Sequence, residues 1–171
     1  GRRGMDVGVH CNRSRHEAEV TLHALQELGV RGEIFQADLS DAAAARDLPA
    51  RVAGVFSRLD VLVNSAGIMT RATVEDTTVE MWDQIHDLNL RAMFFTVQGA
   101  LPWLREARGR VINLADVGGL EPWPNYAAHC VSKAGVVMLT RTLARALAPD
   151  ITVNAVAPGA VLPPADWDEA A

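Results

Sequence analysis

Short runs of β-branched and apolar residues alternate along the chain with longer segments whose apolar residues recur at helical spacing. The apolar runs predict strands at residues 6–11, 32–37, 59–67, 109–115 and 150–159. The amphipathic segments predict helices at residues 15–29, 41–57, 79–106 and 125–148. Strands that alternate with helices indicate βαβ units around a parallel sheet, in which ligands bind beyond the carboxyl ends of the strands.

Three residues are expected to shape the predicted helices. Gly29 should close the first helix, because glycine readily adopts the left-handed conformation of a helix C-terminus. Pro49 should kink or break the second helix, and Pro102 should bend the third helix or end it early. Both expectations follow from the missing backbone N–H of proline.

Composition narrows the class of protein. The chain has 171 residues, of which 49% are hydrophobic and 22% are charged, as in a folded soluble domain. A net charge of −5 argues against a nucleic-acid or membrane partner, and no apolar run reaches the roughly 18 residues of a transmembrane helix. Cys11 and Cys130 do not suggest a disulfide framework, so we expect reduced thiols in a cytoplasmic protein. No metal-ligand spacing is present.

Polar residues follow the first two predicted strands. Arg13 and Ser14, in the sequence Asn-Arg-Ser, could hold the 2′-phosphate of NADP, or Ser14 could cap the next helix while Arg13 is solvated. Asp38 could accept a proton from the adenine amino group. Alternatively, it belongs to an ordinary turn before a helix that Ser40 or Asp41 caps.

Two asparagines also stand out. Asn64 and Gly67 end the third strand, where glycine would let the backbone approach a flat ligand or would simply form a turn. Asn89 lies inside a predicted helix, although its amide competes for backbone hydrogen bonds there. It is either on the solvated face or at a bend where it positions a water molecule.

The helix start at residues 125–135 carries Tyr126, His129 and Lys133 on one face, because they are spaced by three and four residues. Asp116 follows the fourth strand, 13 residues before His129. The strand end, the loop and the helix start should converge, so Asp116, His129 and Lys133 could face one pocket. The alternative for each is a solvated surface position.

Taken together, seven motifs resemble the short-chain dehydrogenase/reductase family and cover nearly the whole chain in the family's order. They are NRS, ADLS, NSAG, LNL, VINLADVGG, YAAHCVSKAG and VNAVAPG. The resemblance implies an α/β, Rossmann-like doubly wound parallel sheet with helices on both faces, in a single domain over residues 1–171. It also implies an NADP(H)-dependent oxidoreductase acting on a small molecule, and a homo-oligomer formed through helices 79–106 and 125–148.

The resemblance also assigns roles to individual residues. The implied cofactor-binding residues are Asn12, Arg13 and Ser14 at the 2′-phosphate, Asp38 and Leu39 at the adenine, Asn64, Ala66 and Gly67 around the adenosine ribose, Lys133 at the nicotinamide ribose, and Pro158 and Gly159 at the nicotinamide. The implied catalytic residues are Asn89, Asp116, His129 and Lys133.

The chain departs from the family's pattern at its chemical centre. The family has a tyrosine four residues before the lysine and a serine 13 residues before that tyrosine, and here these positions hold His129 and Asp116. Histidine titrates near 6.5, so His129 could act as an acid at neutral pH. Asp116 would favour the charged imidazole, whereas Lys133 would oppose it. Tyr126 lies one turn too early and is expected to pack or cap.

Three functions fit this sequence. The first is an NADP-dependent reductase of a pterin or a related C=N or C=O substrate, because an aspartate in the serine position resembles pteridine reductases. The second is a carbonyl reductase of the 3-oxoacyl type. The third is a non-catalytic dinucleotide-binding protein that kept the fold and lost the tyrosine.

The family's first strand and its glycine-rich diphosphate turn have no counterpart here, because the sequence opens at the next strand. The family's closing strand is also missing. We therefore expect a fragment of the fold in which the strands at 6–11 and 32–37 lack a neighbour from the other half of the sheet. A continuous sheet would contradict this expectation.

Overall fold

A computed structural model describes residues 4–159, which form five strands, five α-helices and two short irregular helices. The strands are β1 (Val7–Cys11), β2 (Gly32–Gln36), β3 (Val61–Asn64), β4 (Arg110–Leu114) and β5 (Thr152–Val156). The helices are α1 (Arg15–Glu27), α2 (Ala42–Phe56), α3 (Val79–His86), α4 (Ala92–Glu106) and α5 (Ala127–Ala146). A π-helical turn (Asp87–Arg91) joins α3 to α4, and a 3-10 turn (Val117–Gly119) follows β4.

All strand pairings are parallel, as the alternation of strands and helices predicted. β1 pairs with β2, with Val7 opposite Gly32. β4 lies between β3 and β5, with Arg110 opposite both Val61 and Thr152. No strand pairing within residues 4–159 joins the two sheets, so the expectation of a divided sheet is confirmed for this part of the chain.

Helices α2 and α4 connect the two sheets through a shared apolar core. Val97, Ala100 and Leu104 of α4 pack with buried residues of β4 and β5. A second cluster joins Phe35 of β2 to Ala45 and other residues of α2 and to the start of α4. Helix packing therefore connects the two sheets within residues 4–159. Among the helices of residues 4–159, none has the length and apolar character needed to cross a membrane.

The predicted helices are largely confirmed, and for the two prolines the break at Pro49 and the early end at Pro102 are excluded. Gly29 has a φ of +69° just after α1, as expected for a glycine that closes a helix. Neither proline ends its helix, because α2 continues through Pro49 and α4 continues through Pro102 to Glu106. Leu48, Pro49 and Ala53 of α2 are buried, and this packing outweighs the loss of one backbone hydrogen bond.

The closest approach of α2 and α4 is at Gly99, and it supports a prediction about stability. A Cβ at Gly99 would overlap the backbone carbonyl of Arg46, which no side-chain movement can relieve. We expect Gly99→Ala to lower the free energy of unfolding by about 3 kcal/mol, because the helices would have to separate. Urea unfolding followed by circular dichroism would measure this.

Gly54 of α2 provides the matched control. A Cβ there would meet nothing within 4 Å, so Gly54→Ala tests helix propensity alone. This variant should be as stable as the wild type or more stable by up to about 1 kcal/mol. Equal stabilities for the two variants would show that the contact between Gly99 and the Arg46 backbone does not determine how closely α2 and α4 pack.

Candidate active site

The predicted pair of Asp116 and His129 is assembled where β4, the 3-10 turn and α5 meet. Asp116 directly precedes the 3-10 turn, and His129 lies in the first turn of α5. His129 Nε2 is 2.7 Å from Asp116 Oδ2. The His129 side chain is only 4% exposed and that of Asp116 is 22% exposed. The two side chains therefore form one sheltered hydrogen-bonded pair.

The second ring nitrogen of His129 faces a backbone carbonyl. His129 Nδ1 lies 3.3 Å from the carbonyl oxygen of Ile68, which follows β3. Both ring nitrogens thus face oxygen acceptors, and only a ring that carries both N–H groups can donate to both. The contact at Nδ1 is at the long end of hydrogen-bond distances, whereas the contact at Nε2 is short.

Two glycines of the 3-10 turn are closely packed, Gly119 against α5 and Gly118 against Asp116 and Trp123. A Cβ at Gly119 would lie 2.7 Å from the carbonyl carbon of Lys133 and 2.8 Å from its oxygen. A Cβ at Gly118 would lie 3.0 Å from Asp116 Oδ1 and 3.0 Å from the indole of Trp123. Residues without side chains are required at this interface, and the close approach places Asp116 opposite His129.

Lys133 lies one turn after His129 on α5 and is the only lysine in the sequence. Its Nζ donates a 2.8 Å hydrogen bond to the carbonyl of Leu114 at the end of β4. The residue is 9% exposed, and burial lowers the pKa of its ammonium group below the usual 10.5. The negative charge of Asp116 acts in the opposite direction with a smaller effect on this pKa.

Asn89 lies in the π-helical turn and is completely buried. Its amide nitrogen donates to the Ile68 carbonyl at 2.9 Å, and its oxygen accepts from the Ile68 N–H at 2.8 Å. The amide nitrogen is also 3.1 Å from Ser132 Oγ. Asn89 is therefore not on a solvated face. It fixes the same carbonyl that faces His129, and a role in positioning water stays a prediction.

Asn64 belongs to a buried polar network that the sequence did not reveal. Its amide nitrogen donates to Asn113 Oδ1 at 2.9 Å, and its oxygen accepts from Thr96 Oγ1 at 2.8 Å. Asn113 in turn donates to Thr140 Oγ1 at 2.9 Å. The side chain of Asn64 thus links β3 to β4 and to the helices beside them. The asparagine within the apolar run RVINL was the one available signal.

The predicted adenosine-binding residues gather at the ends of β1 and β2. Asp38 Oδ1 accepts hydrogen bonds from the Ser40 hydroxyl at 2.7 Å and the Ser40 N–H at 3.0 Å. These bonds, above all that from the hydroxyl, lower the pKa of Asp38, and the charge of Arg13 and the side chain of Asn12 lower it further. Asn12, Arg13 and Asp38 are therefore neighbours.

The capping alternatives are also decided. Ser14 occupies the N-cap position of α1 but makes no side-chain capping bond, so its hydroxyl is not used there. Asp41 caps α2 by accepting from the Ala43 N–H at 2.8 Å. Tyr126 directly precedes α5 and packs edge-on against Trp123, with ring centroids 6.0 Å apart. The expectation that Tyr126 packs at the helix start is confirmed.

The other predicted cofactor-binding residues differ in burial and in what they contact. Leu39 is 6% exposed and packs in the core cluster with Phe35, and Ala66 lies against the same cluster. Gly67 lies beside the site, since a Cβ there would be 3.1 Å from Asn89 Oδ1 and 3.9 Å from Lys133 Nζ. Pro158 and Gly159 follow β5 as the last described residues.

The parallel strands alternate with helices, and the Lys133 ammonium group of α5 reaches the end of β4, so the fold is a Rossmann-like α/β fold. The chain belongs to the short chain dehydrogenase family, whose family model matches residues 1–170. It is 38% identical over 161 residues to the 3-oxoacyl-(acyl-carrier-protein) reductase FabG of Staphylococcus aureus, covering 93% of this chain and 65% of that protein. The chain thus spans just under two thirds of the length of this relative.

Solved structures support the same family. An acetoin dehydrogenase from Salmonella typhimurium superposes with a TM-score of 0.90 at 31% identity, covering 99% of this chain and 68% of that one. A short chain dehydrogenase from Burkholderia cenocepacia, solved in complex with NADP, has a TM-score of 0.86 at 35% identity. That comparison covers 90% of this chain and 63% of the other.

Proposed function

We propose that this protein is an NADP-dependent reductase that transfers a hydride to a small-molecule C=O or C=N substrate, with His129 as the proton donor. The observation that carries this proposal is the 2.7 Å contact between His129 and Asp116, on the same helix face as Lys133. An imidazole held by a carboxylate is an established arrangement for general acid catalysis near neutral pH.

The two ring nitrogens of His129 would have different tasks. Asp116 holds the Nε2–H through a short bond, whereas the contact from Nδ1 to the Ile68 carbonyl is long, at 3.3 Å. A substrate oxygen or nitrogen can therefore take over the Nδ1 proton at little cost in hydrogen bonding. When bound, NADPH would supply the hydride. His129 would supply the proton to the atom that becomes negative, and solvent would then restore it.

The residues at the ends of β1 and β2 suit the adenosine part of NADP. Arg13 is exposed and lies near Asp38, so its guanidinium could form charge-assisted hydrogen bonds to a 2′-phosphate. Ser14 offers a hydroxyl that capping does not use. The NADP complex of the Burkholderia relative supports this choice over NAD. Lys133 would hold the nicotinamide ribose, and the backbone at Gly67 would lie beside the adenosine ribose.

Two substrate classes remain compatible with the site. The aspartate in the serine position resembles pteridine reductases and favours a pterin, although Asp116 Oδ2 is bound to His129 and Oδ1 is buried in this structure. The 38% identity to a 3-oxoacyl reductase favours a ketone ester instead. The alternative to both substrate classes is a protein that binds the dinucleotide without catalysing a reaction.

Oxidation of NADPH with a panel of pterins, quinones and 3-oxoacyl esters would test the proposal. We expect turnover with NADPH to exceed turnover with NADH, and preference within the panel would identify the substrate class. Tight binding of NADPH without turnover of any compound would favour the non-catalytic alternative. Turnover that is undiminished in His129→Ala would refute the role of the histidine.

We also propose that two copies associate through α4 and α5, as in the resemblance to the family. An apolar groove runs between these helices, with Leu90 and Phe94 on one side and Gly135 and Met138 on the other. Phe94 is 40% exposed and Met138 is 59% exposed, and both line the same apolar groove, so they form a contiguous apolar surface of the kind that marks a protein contact.

Met138→Glu should therefore shift the protein from dimer or tetramer to monomer, because a buried, unpaired carboxylate is costly. Val20→Glu is the matched control, since Val20 of α1 is equally exposed at 59% and lies away from the groove. Sedimentation velocity would distinguish the species. A Met138→Glu protein that remains as large as the wild type would exclude this groove as the interface.

A further inference from the structure

Trp123 lies beside the Asp116–His129 pair, although no sequence motif assigned it a role. Its ring is nearly parallel to the imidazole of His129, with an interplanar angle of 8° and a centroid distance of 6.1 Å. The point where a Gly118 Cβ would lie is 3.0 Å from both the indole and Asp116 Oδ1, so these two groups are close neighbours. The indole thus adjoins both members of the pair.

Asp116 Oδ1 is buried and has no hydrogen-bond partner among the described residues. Its other oxygen is bound to His129. A carboxylate normally satisfies both oxygens with hydrogen bonds, and an unsatisfied oxygen away from water raises the energy of the charged group. This carboxylate therefore depends on His129 as its one hydrogen-bond donor, and the bond is strongest while water stays out.

The backbone around Trp123 holds the indole in place. Pro122 and Pro124 flank it and restrict the conformations available to the segment. The Asn125 carbonyl accepts a 2.9 Å hydrogen bond from the Ala72 N–H, and the Trp123 carbonyl accepts a 3.0 Å bond from the Tyr126 N–H. The ring of Tyr126 also packs edge-on against the indole, with ring centroids 6.0 Å apart.

From these contacts we propose that Trp123 is a positioning residue that excludes water from Asp116 and fixes the imidazole of His129 in line with the carboxylate. The inference rests on the proposed reductase function, since the positioned group is its proton donor. Removing the indole would give Asp116 Oδ1 a water partner and would weaken the hold of the carboxylate on His129. A smaller planar apolar ring at this position, such as phenylalanine, would still exclude most of the water from Asp116.

The proposal is tested first by proton NMR, without any need for activity. The His129 Nε2–H should give a downfield resonance that is protected from exchange with water and is absent in His129→Gln. We expect this resonance in the wild type and in Trp123→Phe, and we expect rapid exchange to remove it in Trp123→Ala. If Trp123→Ala does not fold, Trp123→Gln replaces it, since its polar side chain also admits water.

Trp82→Ala is the matched control. Trp82 also stacks on a histidine, His86, with centroids 4.3 Å apart and an interplanar angle of 21°, but it lies on α3 away from the pair. This variant should leave the downfield resonance unchanged. Any loss of the resonance in Trp82→Ala would show that general destabilisation, rather than the cover over Asp116, accounts for the effect.

Steady-state kinetics provides the second readout. The kcat of Trp123→Ala should fall by about 10-fold or more, because a misplaced proton donor slows the chemical step, while the KM for NADPH stays the same. Trp123→Phe should recover most of the rate. An unchanged resonance in Trp123→Ala, or no protected resonance in the wild type, would overturn the proposal. If no compound is reduced at all, the proposed function fails, and the NMR result alone decides the role of Trp123.

Discussion

Replacing His129 with glutamine is expected to lower kcat for NADPH-dependent reduction by about 100- to 1,000-fold, the usual contribution of a general acid. Glutamine can still donate a hydrogen bond to Asp116, so the pair need not collapse, but an amide does not release a proton near neutral pH. The affinity for NADPH should be unaffected. Stopped-flow measurement of a single turnover would show whether the chemical step has slowed.

Two further variants define what this result means. His23→Gln is the control, because His23 of α1 is exposed and forms an ion-pair contact with Glu27 at 3.6 Å. Its kcat should equal that of the wild type. His129→Tyr restores the family's residue, and carbonyl reduction that rises above that of His129→Gln would show that the position, not the imidazole itself, carries the chemistry. Equal rates for His129→Gln and the wild type would exclude His129 as the donor.

Replacing Lys133 with methionine should lower kcat by about 100-fold, because the charge that stabilises developing negative charge is lost. It should also weaken cofactor binding, and the Leu114 carbonyl would lose its 2.8 Å donor. Arg141→Met is the control, since it removes an exposed positive charge from the same helix. Similar activities for the two variants would show that Lys133 acts only in packing.

The same substitution has a predictable effect on the pH dependence of stability. Burial lowers the pKa of Lys133 in the folded protein below 10.5, so the unfolded chain binds more protons between the folded pKa and 10.5. The free energy of unfolding of the wild type, relative to Lys133→Met, should therefore rise with pH across this window. Below the folded pKa the difference should be constant. Urea unfolding at a series of alkaline pH values would measure it, and a flat difference would mean that the ammonium group is not desolvated.

His129, which occupies the position of the family's tyrosine, shows how much of the site can be predicted from local sequence pattern. Residue spacing alone placed His129 and Lys133 on one face of α5, because the geometry of a helix fixes which residues are neighbours. The approach of Asp116 needed more than spacing, since Gly119 must lie against the backbone of α5 and Gly118 must fit between Asp116 and Trp123. The need for glycine at these two positions becomes clear only when the 3-10 turn is seen packed against α5.

The prolines and the buried asparagine show what local sequence pattern does not predict. Local propensity allowed Pro49 to kink or break α2 and Pro102 to bend or end α4, and the packing of α2 against α4 keeps both helices continuous. Local propensity also made Asn89 a poor helix residue, and the π-helical turn agrees with that expectation. Its actual partners, both polar groups of the Ile68 backbone, lie 21 residues away in sequence.

The sequence by itself determined the order of strands and helices, the parallel arrangement of the strands and the set of polar residues at the strand ends, because periodicity and turn chemistry are local properties. Only the tertiary structure decided what each of these residues contacts. It placed the side chain of Asn64 in a buried hydrogen-bond network with Asn113, paired Asp116 with His129, and placed Trp123 beside that pair. These contacts connect residues from separate elements, and they depend on how closely the backbones approach, which no local pattern encodes.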